Sequence, residues 1–113
     1  MLFRSQRRPK EAYDHLEHAL RLRPDLPEAH YNRGVFLRMH GKAQAARQAL
    51  ETAVQLEPTY PGAHQQLGFA YAAMGEAKRA EQSLVRALEL DPADSTAREG
   101  LEELRAVLKS RQR

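Results

Sequence analysis

Residues 27–60 read PEAHYNRGVFLRMHGKAQAARQALETAVQLEPTY, and residues 61–94 read PGAHQQLGFAYAAMGEAKRAEQSLVRALELDPAD. Both segments are 34 residues long, and many positions are identical between them. The shared positions include Pro27, Ala29, His30, Gly34, Gly41, Ala46, Leu50, Ala53, Leu56 and Pro58, which recur as Pro61, Ala63, His64, Gly68, Gly75, Ala80, Leu84, Ala87, Leu90 and Pro92. One period earlier, the positions that correspond to the last five of these hold the same residue types, in Ala12, Leu16, Ala19, Leu22 and Pro24. Repetition at this period is typical of a solenoid, in which each unit buries its apolar face against its neighbours.

Each repeat is predicted to be a pair of antiparallel helices. Apolar and small residues return at helical spacing on both sides of Gly41, and again on both sides of Gly75. A glycine suits a reversal of the chain there because it adopts positive φ at little cost. Pro27 and Pro61 suit the start of a helix, where the missing N–H is not needed. The two full repeats are therefore residues 27–60 and 61–94.

The N-terminal segment is predicted to be half a repeat. Residues 8–23 match the second helix of a pair, whose first helix would need residues before Met1. The apolar face of this helix consequently lacks the partner that it has in the full repeats. Three alternatives for what covers this face are left by the sequence: the residues before Arg8, a second copy of the chain, or an upstream continuation of the natural protein. We expect the last of the three.

The C-terminal segment is predicted to be a capping helix over residues 95–111. Asp94 suits its N-cap, since a carboxylate accepts from the free N–H groups of the first turn. One apolar stripe follows the helix, formed by Ala97, Leu101, Leu104 and Leu108. The positions that would receive a further helix hold Glu102 and Arg105, in the places of Gly68 and Tyr71. A solenoid needs such a polar face on its last helix.

Composition narrows the class of protein. The 113 residues fit one domain, residues 1–113, and the repeats fill it. The net charge is +3, with the basic excess in residues 1–23 and 95–113 and a slight acidic excess between them. The chain has no cysteine, no apolar segment of a signal peptide and no run of ~20 apolar residues. We expect a cytoplasmic protein without a membrane segment.

The repeats resemble the tetratricopeptide repeat. The pattern His64-x-x-Leu67-Gly68-x-x-Tyr71 carries the resemblance, continued by Gly75, Ala80, Leu84, Ala87 and Pro92, and residues 27–60 repeat it less closely. The resemblance implies an all-α, right-handed superhelix whose first helices line a concave groove that binds peptides or partner proteins. It implies no catalysis and no cofactor.

The groove face is predicted from the register. If Gly34 and Leu37 face the second helix of the pair, the opposite stripe of each first helix faces the groove. This stripe comprises Tyr31, Asn32, Val35, Arg38, Met39, Gln65, Gln66, Phe69, Ala73, Glu99 and Glu103. Its apolar members suit an amphipathic helix or extended segment, with a basic group of the partner toward Glu99 and Glu103. The alternative is that Phe69 and Met39 merely pack against the neighbouring first helices.

The resemblance also bears on how a peptide would be held. It implies that Asn32 hydrogen-bonds the backbone of an extended peptide, for which an amide offers both donor and acceptor. Some relatives clamp a C-terminal carboxylate with lysine and arginine. The corresponding positions here hold no cation, and are Tyr31, Val35, Gln66, Thr96 and Gly100. The sequence predicts no clamp of that kind.

Metal binding and catalysis are disfavoured. His15 and His18 stand at i and i+3, but nothing in the sequence clearly supplies further metal ligands. His30 and His64 are predicted to pack where the family usually has a large aromatic residue. No glycine-rich phosphate loop and no recognisable catalytic context for a serine or histidine is present.

Two other binding functions are weighed against peptide capture. The basic ends could contact phosphates of nucleic acid through Arg4, Arg7, Arg8, Lys10, Arg105, Lys109, Arg111 and Arg113. This is disfavoured, because no aromatic residue is interleaved among them to stack on bases. The chain could also self-associate as a homo-oligomer through the uncovered face of residues 10–22, using Tyr13, Leu16 and Leu20.

Overall fold

A computed structural model describes the backbone of residues 2–112 and the side chains of residues 10–112. The described chain forms six helices and no strand. They are α1 (Leu2–Leu22), α2 (Pro27–Met39), α3 (Ala43–Leu56), α4 (Pro61–Ala73), α5 (Ala77–Leu90) and α6 (Ser95–Arg111). Helices α2 with α3 and α4 with α5 form the two predicted pairs, and α6 spans the predicted range of the cap. None of the described helices combines the length and the apolar composition that crossing a membrane requires.

The turn inside each pair is built on the predicted glycine. Gly41 has φ 77° and Gly75 has φ 79°, in the left-handed region. The Lys42 N–H donates to the Leu37 carbonyl at 2.9 Å, and the Gly41 N–H donates to the Arg38 carbonyl at 3.0 Å. The same two bonds recur one period later. This arrangement is a Schellman motif, which satisfies the last carbonyl groups of the helix and reverses the chain.

Close packing inside each pair rests on a glycine facing a leucine. A Cβ added at Gly34 would stand 2.4 Å from Leu50 Cγ, and one added at Gly68 would stand 2.7 Å from Leu84 Cγ. The sequence predicts the glycines against Ala46 and Ala80, with the leucines beside that contact. The Ala80 backbone does lie near Gly68, but the leucine side chain fills the space directly over each glycine.

Polar side chains link each pair to the next element. Arg33 Nε lies 2.7 Å from Glu17 Oε1 of α1, although the N–H does not point at that oxygen, so the contact is an ion pair. The Tyr71 hydroxyl donates to Glu51 at 2.7 Å, and Arg105 Nε donates to Glu81 at 3.0 Å.

A hydrogen bond that recurs with the repeat joins each loop between repeats to the helix that follows it. The His30 Nε2–H donates to the Pro24 carbonyl at 2.8 Å, and the His64 Nε2–H donates to the Pro58 carbonyl at 2.8 Å. One period later Arg98 donates to the Pro92 carbonyl. The two histidines are half-buried, so they pack as predicted, but they also satisfy the carbonyl of the proline that follows each second helix.

The two end helices differ. Asp94 caps α6 as predicted, its Oδ1 accepting from the Ala97 N–H at 3.0 Å. Helix α1 starts at Leu2, so the predicted start at residue 8 is wrong. Arg7 occupies the position of the turn glycine Gly41, so the glycine turn is missing, and the helix continues through Pro9, a residue type that favours the start of a helix. Whether side chains before Arg8 cover the apolar face lies outside the described side chains.

Candidate functional site

The predicted groove residues fall into two apolar grooves with a polar chain between them. Tyr31, Asn32, Val35 and Met39 line a groove between α1 and α2, which we call the α1–α2 groove. Phe69 and Glu103 line a smaller groove between α4 and α6, which we call the α4–α6 groove. Ala73 and Glu99 are exposed and line neither groove.

The α1–α2 groove has a volume of about 790 Å³. Its walls are the four predicted residues of α2 together with Phe36, and, from α1, Ala12, His15, Leu16 and Ala19. Most of these side chains are apolar, and Met39 is 72% exposed. The groove therefore offers an accessible apolar surface of a size that suits part of a partner chain.

Tyr31 is held in place by the start of α4. A Cβ added at Gly62 would stand 3.4 Å from the Tyr31 ring, so the ring lies close to that backbone. The centroids of the Tyr31 and Tyr60 rings are 5.0 Å apart. Burial, and then the charges of Tyr31, Glu28 and Glu57, raise the pKa of Tyr60 to about 12. The contacts with Gly62 and Tyr60 hold the Tyr31 side chain in place as a wall of the groove.

A chain of hydrogen bonds crosses from α2 through α4 to the start of α6. Arg38 Nε donates to Gln66 Oε1 at 2.7 Å, and Gln66 Nε2 donates to Gln65 Oε1 at 2.9 Å. Gln65 Nε2 donates to both carboxylate oxygens of Asp94, at 3.0 and 2.8 Å. We call these four side chains the polar chain. Since its amides already bond one another, a ligand that used Gln65 or Gln66 would have to replace an internal hydrogen bond.

Phe69 lies between Arg38 and α6. The Arg38 guanidinium carbon is 5.6 Å from the centroid of the Phe69 ring. A Cβ added at Gly100 would stand 2.6 Å from Phe69 Cε1, so Phe69 occupies the space that a larger residue at 100 would need. Phe69 also packs on the core cluster that contains Leu84 and Leu101. Packing against the neighbouring helix, the alternative considered for Phe69, thus accounts for much of its surface.

The α4–α6 groove has a volume of about 290 Å³. Beside Phe69 and Glu103 it is lined by apolar residues of α6, chiefly Leu104 and Val107. Val107 is 46% exposed, and Arg111 lies at the edge of the groove. Its chemistry is therefore apolar with one acidic and one basic side chain.

The sequence did not single out the α1 wall as part of the groove. Ala12, Leu16 and Ala19 stand one period before Ala46, Leu50 and Ala53, which are fully buried in the repeat. In α1 the corresponding Ala12 is exposed, and Leu16 and Ala19 are half-buried. The repeat pattern was the signal that could have identified this wall, because it assigns these three positions to a face that is buried in the full repeats.

The comparisons with protein families agree with the geometry. Two models described as tetratricopeptide repeat match the sequence, one over residues 37–104 and the other over residues 1–63. Each covers more than half of the chain. The chain belongs to the tetratricopeptide repeat family. Solved structures confirm the predicted all-α solenoid of this family. No curated protein matches the sequence significantly.

Similar solved tetratricopeptide repeat structures cover nearly the whole chain. The first such domain of Spaghetti (RPAP3), bound to the HSP90 peptide SRMEEVD, has a TM-score of 0.88 and 25% identity, over 95% of this chain and 85% of that one. The Sgt2 domain from Aspergillus fumigatus has a TM-score of 0.88 and 23% identity, over 96% of this chain and 73% of that one. The second likeness concerns the fold alone.

An enzyme with tetratricopeptide repeats is also similar. A mutant O-GlcNAc transferase of Thermobaculum terrenum has a TM-score of 0.82 and 30% identity, over 85% of this chain but 18% of that one. The likeness concerns that small share of the enzyme.

Within the described residues, no three His, Cys, Asp or Glu side chains lie together so that they could hold a metal ion, and His15 and His18 belong to no such group.

Proposed function

We propose that the chain is a non-catalytic scaffold that binds a segment of a partner protein along its concave face. The observation that carries the proposal is the α1–α2 groove, whose apolar walls face solvent beside the exposed Met39. A tetratricopeptide repeat structure similar to this chain holds a peptide, which supports the same use here. A cytoplasmic location remains a prediction.

The chemistry of the grooves defines the partner segment. Apolar side chains of the partner would fill the α1–α2 groove against Tyr31 and Val35, where burial of apolar surface contributes most to affinity. Asn32 is exposed at the wall of this groove, where it presents an amide to the partner's backbone. Glu99 and Glu103 are exposed on α6 and would face a basic group of the partner.

The proposal is tested by selecting peptides that bind the chain from a displayed random library. Replacing the two aromatic walls, Tyr31→Ala plus Phe69→Ala, should weaken the selected peptides about tenfold or more, as expected for buried aromatic anchors. Lys78→Ala, an exposed change on α5, is the matched control and should leave affinity unchanged. Equal affinity for the double variant would remove this face as the binding site.

The carboxylate of a peptide is not expected to be the main contact. The five positions that correspond to the clamp, Tyr31, Val35, Gln66, Thr96 and Gly100, carry no cation, and Gln66 is engaged in the polar chain. The peptide SRMEEVD, titrated as acid and as amide, should show no nanomolar binding that amidation abolishes. Such binding would contradict the predicted absence of a clamp.

Self-association is the second candidate, and the partly open face of α1 favours it. Ala12 is exposed and the predicted Leu16 and Leu20 are half-buried, whereas Tyr13 stacks on Phe36 of α2, with ring centroids 4.6 Å apart, and is not on the open face. Sedimentation at high micromolar concentration tests it, and a monomer would exclude it. Nucleic-acid binding has less support, since Arg105 forms an ion pair with Glu81, while Arg4, Arg7, Arg8 and Arg113 lie outside the described side chains.

A further inference from the structure

Helix α1 repeats the second helix of a pair but has no first helix beside it among the described elements. In the repeats, three positions of each second helix are fully buried: Ala46, Leu50 and Ala53 in α3, and Ala80, Leu84 and Ala87 in α5. In α1 the same three positions are Ala12, which is exposed, and Leu16 and Ala19, which are half-buried. They form one wall of the α1–α2 groove.

The repeats show what covers this face. Helix α2 covers α3 by placing Gly34 over Leu50, and α4 covers α5 by placing Gly68 over Leu84. Both glycines lie so close to the leucine that a Cβ would stand less than 3 Å from it. A helix that covers α1 in the same way therefore needs a glycine opposite Leu16. Ala29 and Leu37, buried on α2, show that such a helix also carries an alanine before its glycine and a large apolar residue after it.

Two candidate occupants do not fit. The backbone of residues 2–9 continues α1 without a break, so this segment does not fold back over the groove. Helix α6 of a second copy corresponds in register to α2 and α4. It carries Glu102 where they carry glycine, and Glu102 is exposed. Packed on α1 it would place a carboxylate against Leu16, where burial without a partner is unfavourable.

We propose that the α1–α2 groove accepts one amphipathic helix from another polypeptide segment, which completes the N-terminal repeat. This helix places a glycine against Leu16 and apolar side chains against Tyr31 and Val35. It thereby takes the place that α2 has on α3. The inference rests on the proposed function, because it names the kind of segment that the scaffold binds. It adds the requirement that this segment contacts Ala12, Leu16 and Ala19 of α1.

The probe is a labelled peptide of residues 58–76, which contains α4 with both of its ends. Isolated helices of this length are marginal in water, so the peptide is titrated into the millimolar range while methyl and amide NMR signals of the full chain are followed. We expect saturable shifts at Ala12, Leu16 and Ala19. A matched peptide with Gly68→Leu should bind at least about tenfold more weakly, because its side chain would collide with Leu16.

Two variants of the full chain complete the test. Leu16→Glu should abolish binding of the peptide, and Ala12→Asp serves if Leu16→Glu lowers the thermal melting temperature. Equal binding of the two peptides, shifts away from α1, or no binding at millimolar peptide would overturn the inference. A dimer that Leu16→Glu converts to a monomer would overturn it in favour of a second copy.

The outcomes separate this inference from the proposed function. If library-selected peptides depend on Tyr31 and Phe69 while the 58–76 peptide does not bind, the inference alone fails. If the 58–76 peptide binds through Leu16 while selected peptides ignore Tyr31 and Phe69, the proposed aromatic site fails and the helix acceptor stands.

Discussion

At the residue scale, Gly68 sets how closely α4 and α5 approach. The Leu84 side chain lies directly over it and is 1% exposed, so it has no room to move away. Gly68→Leu should therefore overpack the contact and lower the free energy of unfolding by about 1–3 kcal/mol. Chemical denaturation followed by circular dichroism measures the change.

The control for this prediction is Gly62→Ala, also in α4. A Cβ there would meet the Tyr31 ring at 3.4 Å, an ordinary van der Waals distance, so the free energy of unfolding should stay the same or rise slightly. Unfolding curves of Gly68→Leu that overlay those of the parent would refute the close packing described for the pair.

The same scale shows what a sequence does not reveal. Gly34 and Gly68 predicted a close approach of two helices, because a repeated glycine inside a helical pattern needs a packing reason. The identity of the atoms opposite them did not follow. Which side chain fills a space depends on rotamers and on the crossing of the helices, and spacing along the chain fixes neither.

At the scale of elements, Tyr60 links two helices. It precedes α4 as its N-cap residue, and its ring lies against Tyr31 of α2. Burial is the main reason that its pKa rises from 10.0 to about 12. Between these pH values the unfolded chain loses the Tyr60 proton and the folded chain retains it. Stability that is fully present below pH 10 is therefore lost as the pH rises toward 12.

A comparison with Tyr60→Phe isolates this effect. Burial and a hydrogen bond to Glu51 also raise the pKa of Tyr71, which acts in the same direction in both proteins. Denaturant midpoints measured from neutral pH to pH 12 should fall less steeply in Tyr60→Phe than in the parent. Parallel curves would show that Tyr60 is not perturbed by folding.

Element boundaries were predictable where a residue type forces them. Proline at the start of α2 and α4, glycine in the turns and Asp94 before α6 each act through local geometry, and these boundaries agree with the structure. The start of α1 was not predictable from the repeat. Arg7 stands in place of the turn glycine, and the helix runs through Pro9 to Leu2, although proline marks the starts of α2 and α4.

The site was predictable to a lesser extent than the helices. Register alone placed Tyr31, Val35 and Met39 on one face, and the structure gathers them in the α1–α2 groove. The register could not show that the side chains of Gln65 and Gln66 bond to each other, because the polar chain depends on where side chains of three elements lie in space. Nor did it show that Phe69 fits over Gly100, a contact between separate repeats.

At the scale of the whole molecule, the first and last helices expose different kinds of surface. Helix α6 turns Glu102 and Arg105 outward, while Ala12 and Leu16 of α1 remain partly accessible. The polar chain from Arg38 to Asp94 separates the two apolar grooves. A partner segment is therefore expected to bind mainly at the α1–α2 groove, which is the larger.

Mapping a library-selected peptide on the full chain by NMR tests this account most directly. We predict that the shifted amide and methyl signals concentrate on Ala12, Leu16, Tyr31, Val35 and Met39, and that Val35→Glu removes them. Signals that shift instead at Gln48, Gln55 and Arg86, which are exposed residues of α3 and α5 outside the groove, would contradict binding in the groove.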